Sequence, residues 1–224
     1  VAGGGGQAGG QTQGRAAESP QAVEKLYLIA GLGNPGSEYA RTRHNAGFLV
    51  VERLAERWGA TWQTASRFAA RLARVTRGER TVWLCLPQTY MNASGEAVAA
   101  VRAYYRVALE RVLVVTDDAD LPLGELRLRP RGSSGGHHGL ESVERHLGTR
   151  DYARLRLGIG RGAHDERQIT HYVLGRFSVE EAEQFAAVRE RAVRQIECWL
   201  DEGIQQAMNR FNGAASVPAT KTDV

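Results

Sequence analysis

Short apolar runs, each stopping at a glycine or a polar cluster, alternate along this chain with stretches of helical period, and that alternation points to an α/β domain. Residues 26–30 (LYLIA) and 112–116 (VLVVT) are too short for core helices and apolar without a break, so they read as buried strands. Residues 69–75 and 81–86 read as a hairpin around Arg77, Gly78 and Glu79. Residues 125–129 alternate leucine with arginine, and Leu155, Leu157 and Ile159 alternate with Arg154 and Arg156, the pattern of half-exposed strands. Helices are predicted at 47–58, where Phe48, Val51, Leu54, Ala55 and Trp58 share a face, at 93–105, and at 140–147. A long helix is predicted from the capping box Ser178-x-x-Glu181 to Gly203. The expected fold is one α/β domain over residues 25–212, a mixed twisted sheet flanked by helices. Residues 1–24, rich in Gly, Gln and Ala, and residues 213–224 are expected to be loose tails.

Composition narrows the class. No apolar run approaches the roughly 20 residues needed to span a bilayer, so no membrane partner is expected. Residues 1–24 lack the apolar core of a secretory signal and make a poor transit peptide. The two cysteines, Cys85 and Cys198, sit inside apolar patterns and read as reduced core residues, which fits the cytoplasm. The formal net charge is +4. Residues 124–161 alone hold eight arginines (127, 129, 131, 145, 150, 154, 156, 161) against four acids, also a net +4. That local excess beside a flexible, glycine-rich segment suggests a polyanionic partner bound through phosphate.

Residues 31–36 (GLGNPG) match G-x-G-x-x-G after a strand, the dinucleotide-binding fingerprint. Three features oppose that reading. The fingerprint's helix begins within the glycines, whereas here Pro35-Gly36 makes a turn and residues 37–45 precede the helical period. The candidate ribose carboxylates, Glu52 and Glu56, fall inside a helix. The loop also carries Asn34, Tyr39, His44 and Asn45, polar groups a cofactor cradle does not need.

Three polar segments follow apolar strands, where open α/β sheets place their sites. They are Asn34 with Tyr39, His44 and Asn45; Thr89, Tyr90, Met91 and Asn92; and Thr116, Asp117, Asp118 and Asp120. The loop at 132–139 (GSSGGHHG) is a candidate lid over them. Each residue also has a plain structural role open to it: His44 or Asn92 starting a helix, Asp117 capping a turn. No metal is expected. The chain has no C-x-x-C pair, the half calcium loop at Asp118 and Asp120 finds Arg129 where a glutamate is needed, and the adjacent His137 and His138 diverge.

Residues 31–48 (GLGNPGSEYARTRHNAGF), 87–98 (PQTYMNASGEAV), 116–124 (TDDADLPLG) and 132–140 (GSSGGHHGL) closely resemble the bacterial peptidyl-tRNA hydrolase family. LRLGIG at 155–160 and HYVLGRF at 171–177 extend the likeness. The resemblance implies an esterase without cofactor or metal that frees tRNA from prematurely released peptidyl-tRNA, acting as a monomer with no obligate protein partner. It implies that His44 is the general base and Asp117 its partner, with Asn34 and Asn92 among the catalytic groups. It further implies that Tyr39, Asn45, Met91, His137 and His138 contact the substrate, and that Arg129 and Arg156 grip phosphate. In one place the chain departs from the family, whose lid reads G-G-H-N-G: His138 stands at the asparagine. Neutral imidazole offers one donor and one acceptor, not an amide's two donors and carbonyl.

These residue types suit water attack on an acyl ester. Histidine titrates near pH 6.5, close to working pH, and a carboxylate on its far nitrogen fixes the tautomer and stabilises the imidazolium. No serine sits on a G-x-S-x-G elbow, so an acyl-enzyme has little support. The alternative from another class is a non-catalytic RNA- or partner-binding protein on the same fold.

Overall fold

A computed structural model describes residues 25–160 and 169–214. The expected tail at 1–24, Arg161 of the basic segment, and residues 215–224 lie outside the described residues.

Eight strands form one mixed sheet in the order β2-β3-β4-β1-β5-β7-β6-β8. The centre is parallel: β1 (Lys25–Gly31) lies between β4 (Arg80–Pro87) and β5 (Val112–Asp118), and β5 pairs with β7 (Ala153–Gly158). The flanks are antiparallel. On one side β4 makes the predicted hairpin with β3 (Ala70–Arg77), which pairs with β2 (Gln63–Ala65). On the other, β6 (Glu125–Arg129) pairs with β7 and with β8 (Gly213–Ala214). Gly213 and Ala214 fall in the segment expected to be a loose C-terminal tail. They are held because β6 would otherwise leave an unpaired edge, and Arg191 also binds the Gly213 carbonyl at 2.7 Å.

Helices cover both faces, so the central strands carry no polar alternation. All seven residues of β5 are buried. On one face α1 (Ala46–Arg57), α5 (Val179–Glu202) and α6 (Ile204–Phe211) pack over Ile29, Leu84, Leu113 and Leu155. On the other, α2 (Ser94–Tyr104) and α3 (His138–Leu147) cover Leu28, Cys85, Val112 and Val114. The chain leaves β1 for α1 on one face and β4 for α2 on the other, so the connections diverge around β1. Such a switch point opens a crevice at the carboxyl ends of the strands. The capping box on α5 is formed, with Ser178 accepting from the Glu181 N–H and Glu181 from that of Ser178. A short helix α4 (Ile169–Leu174) and the end helix α6 escaped the sequence reading, α4 because six residues carry too little periodicity.

Glycines set the closest approaches. A Cβ on Gly47 would lie 2.3 Å from the Val115 carbonyl oxygen, and one on Gly31 would lie 2.5 Å from that of Gly47. The fingerprint-like glycines thus seat α1 on the sheet. Where α2 crosses α3, a Cβ on Gly95 would stand 2.1 Å from the Ser142 carbonyl oxygen, and Ser142 accepts the Gly95 N–H at 3.0 Å. Gly95→Ala should therefore force the two helices apart and cost roughly 1–3 kcal/mol, read as a lower urea midpoint with an unchanged slope. An unchanged midpoint would mean the helices do not meet there.

Candidate active site

The loops at the carboxyl ends of β1, β4 and β5 surround a cleft of ≈ 320 Å³. His44 lines it from a 3₁₀ turn (Arg43–Asn45) that leads into α1. That turn is anchored on both sides of the histidine. Thr42 bridges Arg176, and the Arg43 N–H donates to the Gly175 carbonyl at 3.0 Å. The Arg43 guanidinium donates to Glu181 at 2.6 Å and lies 4.3 Å from the centre of the Tyr172 ring. Behind the histidine, Asn45 is buried. Its Oδ1 accepts the Asn34 N–H and its Nδ2 donates to the Asn34 carbonyl, each at 2.9 Å. Both functional groups of Asn45 are thereby spent on backbone, so it positions Asn34 and offers the cleft nothing of its own.

His44 Nδ1 meets both oxygens of Asp117, at 3.0 and 3.1 Å. Donation from Nδ1 to a carboxylate places the proton there and leaves Nε2 with a lone pair. Asp117 is 2 % exposed at the end of β5, inside the strand and not beyond it as the sequence pattern had suggested. A buried carboxylate needs several partners. A second imidazole provides one: His137 Nε2 donates to Asp117 Oδ1 at 2.9 Å and lies 2.7 Å from the Thr116 hydroxyl. His137 Nδ1 accepts the N–H groups of Gly139 and Leu140, which caps α3 and fixes the proton on Nε2. Burial alone would raise the Asp117 pKa. Electrostatic attraction to the two imidazoles and their hydrogen bonds outweigh it and hold the carboxyl far below the usual range. For His44 burial works downward, but the charge and hydrogen bond of Asp117 prevail and its pKa is raised above 6.5.

His44, Asp117 and His137 bring three ligand-type atoms within 4.8 Å of one another, as a metal site would. Their chemistry fits hydrogen bonding better. His137 Nε2 carries a proton because Nδ1 accepts twice, and a protonated nitrogen cannot ligate.

The remaining predicted residues divide into two groups. Asn34 Oδ1 accepts the buried Met91 N–H at 2.7 Å, which leaves Nδ2 as the group Asn34 presents to the cleft it lines. Asn92 is exposed on the cleft wall and does not cap α2, whose N-cap is Ala93. His138 lines the mouth, 73 % exposed, with Nδ1 3.2 Å from Glu141. Tyr39 is half-buried in the turn before His44 and is not on the cleft wall. Arg156 reaches the wall already engaged, with Asp118 at 3.0 Å and with the carbonyls of Ser133 and Ser134 at 2.7 and 2.9 Å. Together with Arg154, which also binds the Ser133 carbonyl, it pins the glycine-rich loop expected to act as a lid. Arg129 is exposed on β6, opposite Arg154 in register and off the cleft wall, and has no ion pair among the described residues. Tyr90, 64 % exposed, and the Val173 and Leu174 side chains of α4 complete the wall. Tyr90 belongs to the second polar segment of the sequence analysis; Val173 and Leu174 carry no site signal there beyond lying within the quoted HYVLGRF.

A family model described as peptidyl-tRNA hydrolase matches residues 28–220. The peptidyl-tRNA hydrolase of Gloeobacter violaceus is 47 % identical over 188 residues, covering 84 % of this chain and 94 % of that one. A Synechococcus peptidyl-tRNA hydrolase is 51 % identical over 189 residues, covering 84 % and 83 %. The crystal structure of the Acinetobacter baumannii peptidyl-tRNA hydrolase superposes with a TM-score of 0.79 at 36 % identity, covering 84 % of this chain and 97 % of that one.

The Asp117 contact sets a pH dependence. Because His44 is raised, its ion pair contributes stability below about pH 6.5 that is lost as pH climbs past the raised value. An NMR titration should place the His44 ring above 6.5 in the native protein and lower in Asp117→Asn. A native value at or below 6.5 would contradict the geometry.

Proposed function

The chain belongs to the peptidyl-tRNA hydrolase family, whose members are ester hydrolases, and from that premise we propose that His44 is the general base for water attack on the ester joining peptide to tRNA. The observation that carries this reading is the His44–Asp117 contact, with Nδ1 on the carboxylate and the ring on the cleft wall. Nε2 takes a proton from water as the oxygen attacks the ester carbonyl carbon. Asp117 stabilises the imidazolium without accepting its proton. Asn34 Nδ2 and the Asn92 amide are the donors for the tetrahedral oxyanion, each such donor being worth roughly 3 kcal/mol of barrier. Collapse breaks the bond to the ribose oxygen, and the imidazolium returns the proton to that leaving group. The second imidazole, His137, is a positioning residue: it keeps Asp117 ionised and aimed at His44.

The acceptor stem, the 3′ end and the peptide are the parts of the substrate to be held. Tyr90, Met91 and the α4 side chains suit the ester end and the first peptide residues. Exposed and unpaired, Arg129 is the phosphate contact. Arg156 serves the same end indirectly, by fixing the loop between β6 and α3. The protein acts as a monomer in the cytoplasm and needs no cofactor.

Purified protein incubated with N-acetyl-aminoacyl-tRNA in EDTA should cleave the ester, and His44→Ala should lower kcat by about 10²–10⁴ with tRNA affinity unchanged. Intact turnover in that variant would overturn the general-base role. The two arginines should separate kinetically. Arg129→Ala should raise KM and flatten its salt dependence with kcat unchanged. Arg156→Ala should lower kcat as well, because it frees the Ser134 carbonyl and leaves Ser133 to Arg154 alone; identical effects on KM alone would mean both merely contact phosphate.

A further inference from the structure

A separate groove of ≈ 350 Å³ lies between the N-terminal half of α5 and the start of α1, and it shares no lining residue with the cleft. Arg41, Arg176 and Arg189 line it, over a floor that includes Leu49, Phe177 and Phe185. No acidic side chain is in the lining. We propose that this groove binds the phosphate backbone of the tRNA body, a second contact beyond the acceptor end; the assignment of tRNA as ligand rests on the ester-hydrolase reading of the cleft.

The charge balance around the groove carries the argument. Arginines in this region are mostly neutralised: Arg43 by Glu181, Arg53 by Glu190 and Arg71 by Glu52. Those pairs consume Glu52, Glu181 and Glu190; Glu180, bound to the Ser178 hydroxyl at 2.8 Å, is the acid left at the groove's edge. Arg41, Arg176 and Arg189 are left without a side-chain hydrogen bond or ion pair among the described residues, and the Arg189 Nε is buried with no partner. Glu52 and Glu190 feel the Arg189 charge, but neither pairs with it. Three like charges in one groove repel each other, a cost that an anion in the groove reverses. The apolar floor lowers the local dielectric and strengthens that attraction.

Continuity with the catalytic loop favours RNA over an acidic peptide. Arg41 precedes His44 by three positions, and the backbone of Thr42 bridges Arg176. The wall of the groove and the loop bearing the general base are thus one unit. A cleft of ≈ 320 Å³ takes the ester end of the substrate and little more, so the rest of the polyanion must run over the surface. A groove with three guanidinium groups unpaired among the described residues, joined to that loop, offers such a chain of phosphates the charge it needs. Contacts of this kind position the substrate and read no sequence.

The test uses the full chain and two double variants, Arg41→Gln/Arg176→Gln and Arg41→Glu/Arg176→Glu, all changes at exposed positions. Uncharged tRNA is titrated by fluorescence anisotropy over a salt series. The Gln variant should weaken binding about tenfold at low salt and make the log–log salt slope shallower by about two, with a larger loss for the Glu variant. Turnover of saturating N-acetyl-aminoacyl-tRNA, and hydrolysis of an N-acetyl-aminoacyl ester on a CCA trinucleotide, should be unchanged. An unaltered affinity and slope would overturn the proposal. An equal loss on the trinucleotide ester would overturn it too, since the arginines would then be supporting the His44 loop. Loss of polyglutamate binding with tRNA affinity intact would assign the groove to an acidic protein. If the unmodified protein cleaves neither ester, the reading of the cleft fails, and the anisotropy series still decides the groove.

Discussion

A carboxylate buried at the end of the central strand is unstable as an ion unless the fold brings partners to it, and the site is built from those partners. Removing a charge from water costs several kcal/mol even after relaxation. Asp117 recovers this through two imidazoles, from segments that precede it by 73 residues and follow it by 20, and through the hydroxyl of the adjacent Thr116. The turn with His44 and the loop with His137 must therefore close over the same strand end. Each closure is reinforced locally: Arg43 on Glu181 and Tyr172 on one side, Arg154 and Arg156 on the Ser133 carbonyl on the other. The stress of one buried charge thus fixes the orientation of the base that the chemistry needs. The fold that allows it is the sheet's divergence at β1, which leaves the strand ends open between two helical layers.

The architecture was legible because it follows from local pattern. The unbroken apolar runs at 26–30 and 112–116 could only be strands covered on both faces, and both lie at the centre of the parallel sheet. The α5 capping box was readable as four residues and formed as read. The glycine fingerprint shows how a motif can be right in its geometry and wrong in its purpose. Gly31 and Gly33 are needed for close approach, as in a dinucleotide fold, but what approaches is the backbone of Gly47 and the ring of Phe48. A pattern of glycines records that something must come near; only the neighbouring element says what.

Roles within the site were less legible, for a physical reason. A sequence displays residue types, whereas a role depends on which partner claims each polar atom. Asn45 and Asn34 are both asparagines in one loop, yet Asn45 spends both ends on its neighbour's backbone and Asn34 keeps Nδ2 free. The adjacent His137 and His138 separate into a buried partner of Asp117 and an exposed side chain beside Glu141. The divergence of consecutive side chains was foreseeable; which of the two turned inward depended on the α3 N-terminus needing an acceptor at Nδ1. The apolar wall from α4 had no periodic signal, since six residues show no clear period, and its segment stood out only by family likeness.

Charge counting fails in the same way and is corrected in the same way. The net +4 between residues 124 and 161 suggested one basic face. Much of that charge is structural. Arg154 is 1 % exposed, with donors to Glu144, Ser133 and Arg150 and its guanidinium over Tyr152; Arg150 pairs with Glu144, and Arg156 with Asp118. These guanidinium groups act inside the protein as multi-donor staples for backbone carbonyls, a role lysine's point charge fills poorly. The charge available to a polyanion is what internal pairing leaves: in the segment itself Arg127 and Arg129 on β6 with Arg131 and Arg145, all exposed, and beyond it the arginines between α1 and α5. An electrostatic footprint drawn from unpaired cations is therefore wider than the arginine-rich segment, and it includes residues that sequence clustering would never have grouped.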